Sequence, residues 1–296
     1  MLIVKVFVSN REFLWLLKSR FVSFNRIIIG FALVSGQPVQ YLDSISHHIQ
    51  LFDFTLSQFF FTALVFVWSG FVRSGMGFGG AALSLPLLLL ISDRPLFWLP
   101  IIGVHLLFFT ALTLRKRFRH VDWAVLSKTW YFILPAKLAG VFGLLKLPND
   151  WLIIIIYSIT LFYAFLWILN WQIQSQKGWF DKILLIVGGY FSGTSLTGAP
   201  LMAVVFAHMT EKHRLRDTLF VLWFVLVTIK ITTLYAFGVD LQVASAVLLI
   251  PVAGIGHYAG LKAHDLILQN DRIFKRVVGG VLILICVIGL FGLLID

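Results

Sequence analysis

Four hydroxyl side chains, Ser192, Thr194, Ser195 and Thr197, fall within nine consecutive residues that also contain Gly193, Gly198 and Pro200. Hydroxyls can donate to an oxyanion, and so can the unpaired N–H groups of a helix that starts after such a break, where the helix dipole favours negative charge. They can equally repair backbone groups freed where a helix breaks in an apolar medium. An earlier segment, Arg73-Ser74-Gly75-Met76-Gly77-Phe78-Gly79-Gly80, supplies a comparable glycine cluster and an arginine whose fork suits an oxyanion. The two segments are related, because Gly70, Gly75 and Gly80 recur 118 positions later as Gly188, Gly193 and Gly198. Each copy also holds a Ser-Gly pair, Ser74-Gly75 and Ser192-Gly193.

The charges around these segments have one sign. All 13 carboxylates, from Glu12 to Asp296, lie in loops or at the ends of apolar stretches, whereas Lys137 and Lys230 lie well inside them. An ionisable residue in a membrane span points to function by default, because burying it is costly. Snorkelling to an interface is the competing account for either lysine. Cations without counter-carboxylates suit an anionic ligand and argue against a cation carrier, which would present carboxylate or carbonyl ligands.

These residues sit in a chain of 296 residues that is 59% hydrophobic and 12% charged, far from the soluble norm of roughly a quarter charged. Apolar stretches cover residues 54–91, 96–114, 123–145, 151–170, 183–208, 215–237, 241–261 and 274–295, most of them near the ~20 residues a bilayer requires. The fold class expected is an all-α polytopic integral membrane protein of about eight apolar segments. The division expected is an N-terminal basic, amphipathic extension over 1–52, a first membrane repeat over 53–170 and a second over 171–296. The extension could also be a signal peptide or reflect a misassigned start.

Loop charge sets the topology. Arg115, Lys116, Arg117 and Arg119 mark a cytoplasmic loop under the positive-inside bias. If 183–208 were one crossing, the later basic loops would fall outside; as a broken hairpin of two legs of about 13 residues, it returns them inside. A matching hairpin over 54–91 would enter from the opposite face, since three crossings intervene. Two inverted repeats result, each beginning with a glycine-broken, re-entrant hairpin, and paired breaks at membrane depth point to a transporter's binding site. A full crossing followed by a re-entrant stretch is the alternative for 54–91. Pro86 and Pro200 are placed near the start of each second leg, where proline is best tolerated.

Several chemistries find no support. Gly75 to Gly80 matches the dinucleotide pattern G-x-G-x-x-G, but an apolar segment containing Pro86 follows it instead of an amphipathic helix, and no strand precedes it. Close helix packing is its plainer reading, since Gly75 and Gly79 also form G-x-x-x-G; the second copy favours a functional break. His208 and His213, or His257 and His264, lack cysteine or carboxylate partners at metal-binding spacing, so neither a metal nor another cofactor is expected. No nucleophile, base and acid fall at a spacing that makes a catalytic set, and the reading is not an enzyme. The net charge of +11 is assigned to loops facing anionic lipid and not to nucleic acid.

At Ser74-Gly75-Met76-Gly77-Phe78-Gly79-Gly80 followed by Pro86, and at Ser192-Gly193-Thr194-Ser195-Leu196-Thr197-Gly198-Ala199-Pro200 followed by Arg216-Asp217-Thr218-Leu219, the chain resembles the sulfite exporter (TauE/SafE) family of bacterial membrane permeases. The resemblance covers about residues 53–296. It implies export or uptake of small sulfur-containing or organic anions across the plasma membrane, sulfite being one candidate. Thr197-Gly198-Ala199-Pro200 departs from a denser Gly-Gly-Pro run in relatives, which bears on the choice of anion.

The expectation is a multi-pass plasma-membrane permease for a small anion, working by alternating access. Its substrate-binding candidates are Arg73, Ser74, Gly75, Gly77, Gly79, Gly80, Lys137, Ser192, Gly193, Thr194, Ser195, Thr197, Gly198, Pro200 and Lys230. Its partners are the lipid bilayer and the anion. The alternatives are a non-transporting membrane scaffold or assembly partner, or an intramembrane enzyme.

Overall fold

Backbone polar groups have no water to pair with inside a bilayer, so a chain this apolar must satisfy them along helices or in a closed barrel. The described residues take the first route. The computed structural model describes residues 54–76, 79–114, 120–171, 173 and 178–295, and among them ten helices form with no strand. The proposed N-terminal extension over 1–52, Gly77, and the basic residues Arg115, Lys116, Arg117 and Arg119 lie outside the described residues.

The helices are α1 (Leu56–Met76), α2 (Gly80–Ile91), α3 (Pro95–Leu114), α4 (Trp123–Lys146), α5 (Asn149–Ile168), α6 (Trp179–Ser195), α7 (Ala199–Met209), α8 (Lys212–Ala236), α9 (Val243–Gln269) and α10 (Asp271–Ile295). The two glycine-rich apolar stretches are each split in two, which is why eight stretches yield ten helices. Six of the helices are long and apolar enough to cross a membrane: α1, α3, α5, α8, α9 and α10. Helix α4 has 24 residues but carries Lys128, Lys137 and Lys146.

Each split stretch folds back on itself. Ser69 on α1 donates to the Gly80 carbonyl at 3.3 Å and accepts from Ser84 on α2 at 3.2 Å, while Gln58 reaches the Ile91 carbonyl at 3.5 Å. Earlier residues of α1 thus meet later residues of α2. Gly188 on α6 likewise faces Met202 and Leu201, and Ser192 faces Gly198.

The legs are unequal, where about 13 residues each were expected for the second stretch. Helix α6 has 17 residues and α7 has 11; α1 has 21 and α2 has 12. At 1.5 Å per residue α1 is about 31 Å long and α2 about 18 Å. Hydropathy marks only the apolar part of a helix, and α6 begins earlier, with Asp181 and Lys182 in its first turn. Pro200 occupies the first turn of α7, where its missing N–H costs nothing. Pro86 instead lies inside α2.

The first and second halves of the chain interlock. Helix α1 packs most extensively on α9, α4 on α6, α5 on α10, and α3 on α8. Small residues allow the first two approaches: a Cβ on Gly70, Gly256 or Gly260 would strike backbone across the α1–α9 contact, and one on Gly140, Gly189 or Gly193 would do so across α4–α6. Such small-residue contacts let helices associate where lipid removes the hydrophobic driving force. Large apolar side chains face outward, among them Phe60, Phe61, Tyr131, Leu284 and Phe291.

Hydrogen bonds between junctions identify two ends of the bundle. Arg214 donates to the Val121 and His120 carbonyls, at 2.9 and 3.4 Å, and the Asp122 N–H donates to Thr218 at 2.9 Å. At the other end Asn149 donates to the Asp93 carbonyl at 2.7 Å.

Candidate functional site

The last carbonyls of a helix have no intrahelical donor, and a helix ending inside an apolar protein needs one from elsewhere. At α6 two lysines provide it. Lys137 donates to the Ser192 carbonyl at 2.7 Å and to the Ser192 hydroxyl at 3.0 Å; Lys230 donates to the Gly193 and Thr194 carbonyls at 2.8 and 3.0 Å. Both are buried, at 0 and 1% exposure, so neither snorkels to a surface. Both amino groups sit at the carbonyl end of α6.

The hydroxyls of this second break are engaged as well. Ser195 and Thr197 share a hydrogen bond of 2.5 Å, and Thr194 bonds back to the Tyr190 and Phe191 carbonyls at 3.4 and 3.3 Å. The turn itself is made by Leu196, which adopts the left-handed conformation at φ 60°. An L-residue with a branched side chain resists that region. Gly193 and Gly198 serve close approach, to the Lys137 carbonyl and to the Gly188 carbonyl.

The first break is held differently. His257 pairs its Nδ1 with the Ser74 hydroxyl, and His264 donates from Nδ1 to the Gly75 carbonyl at 2.6 Å. Gly79, at φ 83°, turns the chain into α2. Arg73 points across the bundle: Nη1 donates to the His105 carbonyl at 3.3 Å, and the guanidinium lies 4.4 Å from the Phe109 ring centroid. Its Nε and Nη2 have no hydrogen-bond partner, although the residue is buried.

Both breaks meet at one cavity of about 30 Å³. Arg73, Gly79 and Gly80 line it from the first break, Ser192, Leu196 and Ala199 from the second, Thr110 from α3, and Trp223 from α8. Trp223 is also buried, and its indole Nε1 has no partner. The N-termini of α2 and α7 both border the cavity, and neither has a side-chain cap. Two uncapped helix starts and the two residues with idle donors, Arg73 and Trp223, line this cavity together with the apolar Leu106, Phe220, Leu226 and Val227, and no acid is among the lining residues. That set presents donors and positive potential only, which suits an oxyanion. The volume accommodates a water molecule or two, so anything larger requires the tips to separate.

The glycine run of the first break follows a helix, α1, and so lacks the strand that a dinucleotide fingerprint needs. Among the described residues no three His, Cys, Asp or Glu side chains cluster as metal ligands would.

Residues 62–288 match the sulfite exporter TauE/SafE family. The chain belongs to this family. No curated protein and no solved structure matches the chain. The family match spans both breaks of this TauE/SafE member and all ten helices, at least in part.

Of the candidates named from sequence, Arg73, Gly79, Gly80 and Ser192 line the central cavity, while Lys137, Lys230, Gly193, Thr194, Ser195, Thr197 and Gly198 build the second break around it. Ser74 and Gly75 are engaged by histidines of α9, Pro200 lines a neighbouring, larger cavity, and Gly77 lies outside the described residues. Sequence reasoning missed Trp223 and Thr110. Trp223 lies in a span with many other apolar residues, and only the helix-periodic spacing from Arg216 along α8 could have placed it near the breaks.

Proposed function

We propose that this chain is a secondary transporter that moves a small oxyanion, sulfite or an organic sulfonate or carboxylate, across the plasma membrane by alternating access. The observation that carries the reading is three buried donors without partners, two on Arg73 and one on Trp223, on residues that line a cavity bordered by both breaks. An unpaired buried donor costs about 1–3 kcal/mol, and an acceptor that arrives with a ligand would recover this.

An inverted-repeat arrangement of the helices supports the mechanism. The order of one longer helix, one short helix and three long ones recurs from α1–α5 to α6–α10, each set opening with a folded-back pair. The α1–α9 and α4–α6 contacts are equivalents of each other under the 118-residue offset. Lys212, Arg214, Arg216 and Lys275 gather at one end of the bundle, which is the cytoplasmic end by the positive-inside bias. Two hairpins entering from opposite faces, with their tips around one site, are the geometry in which rocking of one repeat against the other exposes the site alternately.

Purified protein in liposomes is expected to give saturable flux of labelled sulfite, a sulfonate or a carboxylate. Folded protein that moves no member of such a panel overturns the reading. The glycine contacts of α1–α9 and α4–α6 would also serve a scaffold that transports nothing, but a scaffold has no use for idle donors at its centre.

A further inference from the structure

A second cavity, of about 850 Å³, lies on the basic side of the central one. The two share their walls. On α8, Lys212, Leu215, Arg216 and Leu219 line the outer cavity, and Phe220, Trp223 and Val227 line the inner one. Positions 212, 216, 220, 223 and 227 step by three or four residues, with Leu215 and Leu219 beside them, so a single stripe of the helix runs past both. On α7 the same holds: Ala199 borders the inner cavity, and Pro200, Ala203 and Ala207 border the outer. Met76, the last residue of α1, stands in the outer cavity a few residues beyond Arg73 in the inner.

The outer cavity is cationic. Lys212, Arg216 and Lys275 line it with His208 and His264, against one carboxylate among the described residues, Asp271. That carboxylate is held by Lys275 at 2.6 Å. A cleft of one charge sign between low-dielectric walls raises the local concentration of the opposite sign.

We propose that the outer cavity is the anion-gathering vestibule of the transport path. Lys212 and Arg216 form its capture site, and Met76, Pro200 and Leu219 are the floor that separates it from Arg73. The vestibule selects for negative charge before the inner site reads the ligand. This inference rests on the transport reading for its purpose, but its electrostatics can be measured without transport.

A thiol introduced by Ala207→Cys, in a Cys286→Ser background reconstituted in phosphatidylcholine vesicles, reports the local potential. At low ionic strength an anionic thiosulfonate is expected to modify it ~10-fold faster than a cationic one of similar size, within the range that steering supplies. Lys212→Gln with Arg216→Gln is expected to bring that ratio close to one, and high salt is expected to do the same in the unsubstituted vestibule. The salt series keeps the test decisive should the double variant fail to fold. Equal rates for the two reagents at low salt overturn the proposal, as does a ratio unchanged by both the double variant and salt. Protection of the thiol by added phosphatidylglycerol would also overturn it, by making the cavity a lipid-headgroup site. Charge selectivity without flux would leave the vestibule standing and remove the transporter; flux without charge selectivity would do the reverse.

Discussion

The two helix breaks face each other across one small cavity, yet they are held in opposite ways. At the second break two lysines donate to three successive carbonyls, of Ser192, Gly193 and Thr194, and the hydroxyls of Ser195 and Thr197 bond to each other. Its polar groups are spent on its own backbone. At the first break histidines engage Ser74 and Gly75, and Arg73 keeps two idle donors beside the cavity. The hydroxyl-rich break, which looks the more chemical of the two in sequence, is thus a braced wall, and the glycine-rich break carries the arginine whose donors stay unpaired. Positive charge near a site can be structural or available, and the difference lies in whether backbone carbonyls already occupy it.

The contrast breaks most readily at Arg73. Arg73→Gln is expected to lower kcat/KM for anion flux by ~100-fold, in line with about 1.5–3 kcal/mol for a hydrogen bond to a charged group. Arg73→Lys is expected to restore little, because an ammonium lacks the planar fork and the stacking on Phe109. Full flux in the lysine variant would reduce Arg73 to a point charge and weaken the contrast.

Next come the braces. Lys137→Met or Lys230→Met leaves carbonyls of α6 without donors, and is expected to lower stability by ~1–3 kcal/mol, partly offset by no longer burying a polar amino group. Thermal unfolding in detergent reads this as a drop in Tm. A variant with unchanged Tm and abolished binding would instead place that lysine on the ligand, and the two breaks would then share the work.

The smallest effect is expected at Trp223. Trp223→Phe removes the Nε1 donor while keeping an aromatic ring in the wall, and should weaken anion affinity by ~10-fold, the low end for one hydrogen bond to a charged group. Tm without ligand should hold or rise slightly, since the donor has no partner to lose. A large fall in Tm would show the indole to be a packing residue.

Much of this molecule was legible before any coordinates. Apolar stretches of bilayer length and the two glycine clusters follow from local composition, and so does the location of the breaks, because glycine, proline and hydroxyl residues act on the backbone where they stand. Arg73, Lys137 and Lys230 were identifiable as unusual because charge inside an apolar stretch is costly wherever it packs. The lengths of the hairpin legs were not, since a helix continues through polar residues such as Asp181 and Lys182 that hydropathy discounts. Nor was the turn at Leu196, a residue type that gives no sign of left-handed backbone.

By itself, then, the sequence determined a helical membrane protein with two related breaks and cations that lack carboxylate partners, because these properties depend on residue type and short spacing. Only the tertiary structure decided which cations are occupied. Lys137 and Ser192 are 55 residues apart, Lys230 and Gly193 are 37 apart, and Arg73 and Trp223 come from different halves of the chain. A hydrogen bond acts over about 3 Å in space whatever the separation along the chain. The role of each charge was therefore set by which helices interlock.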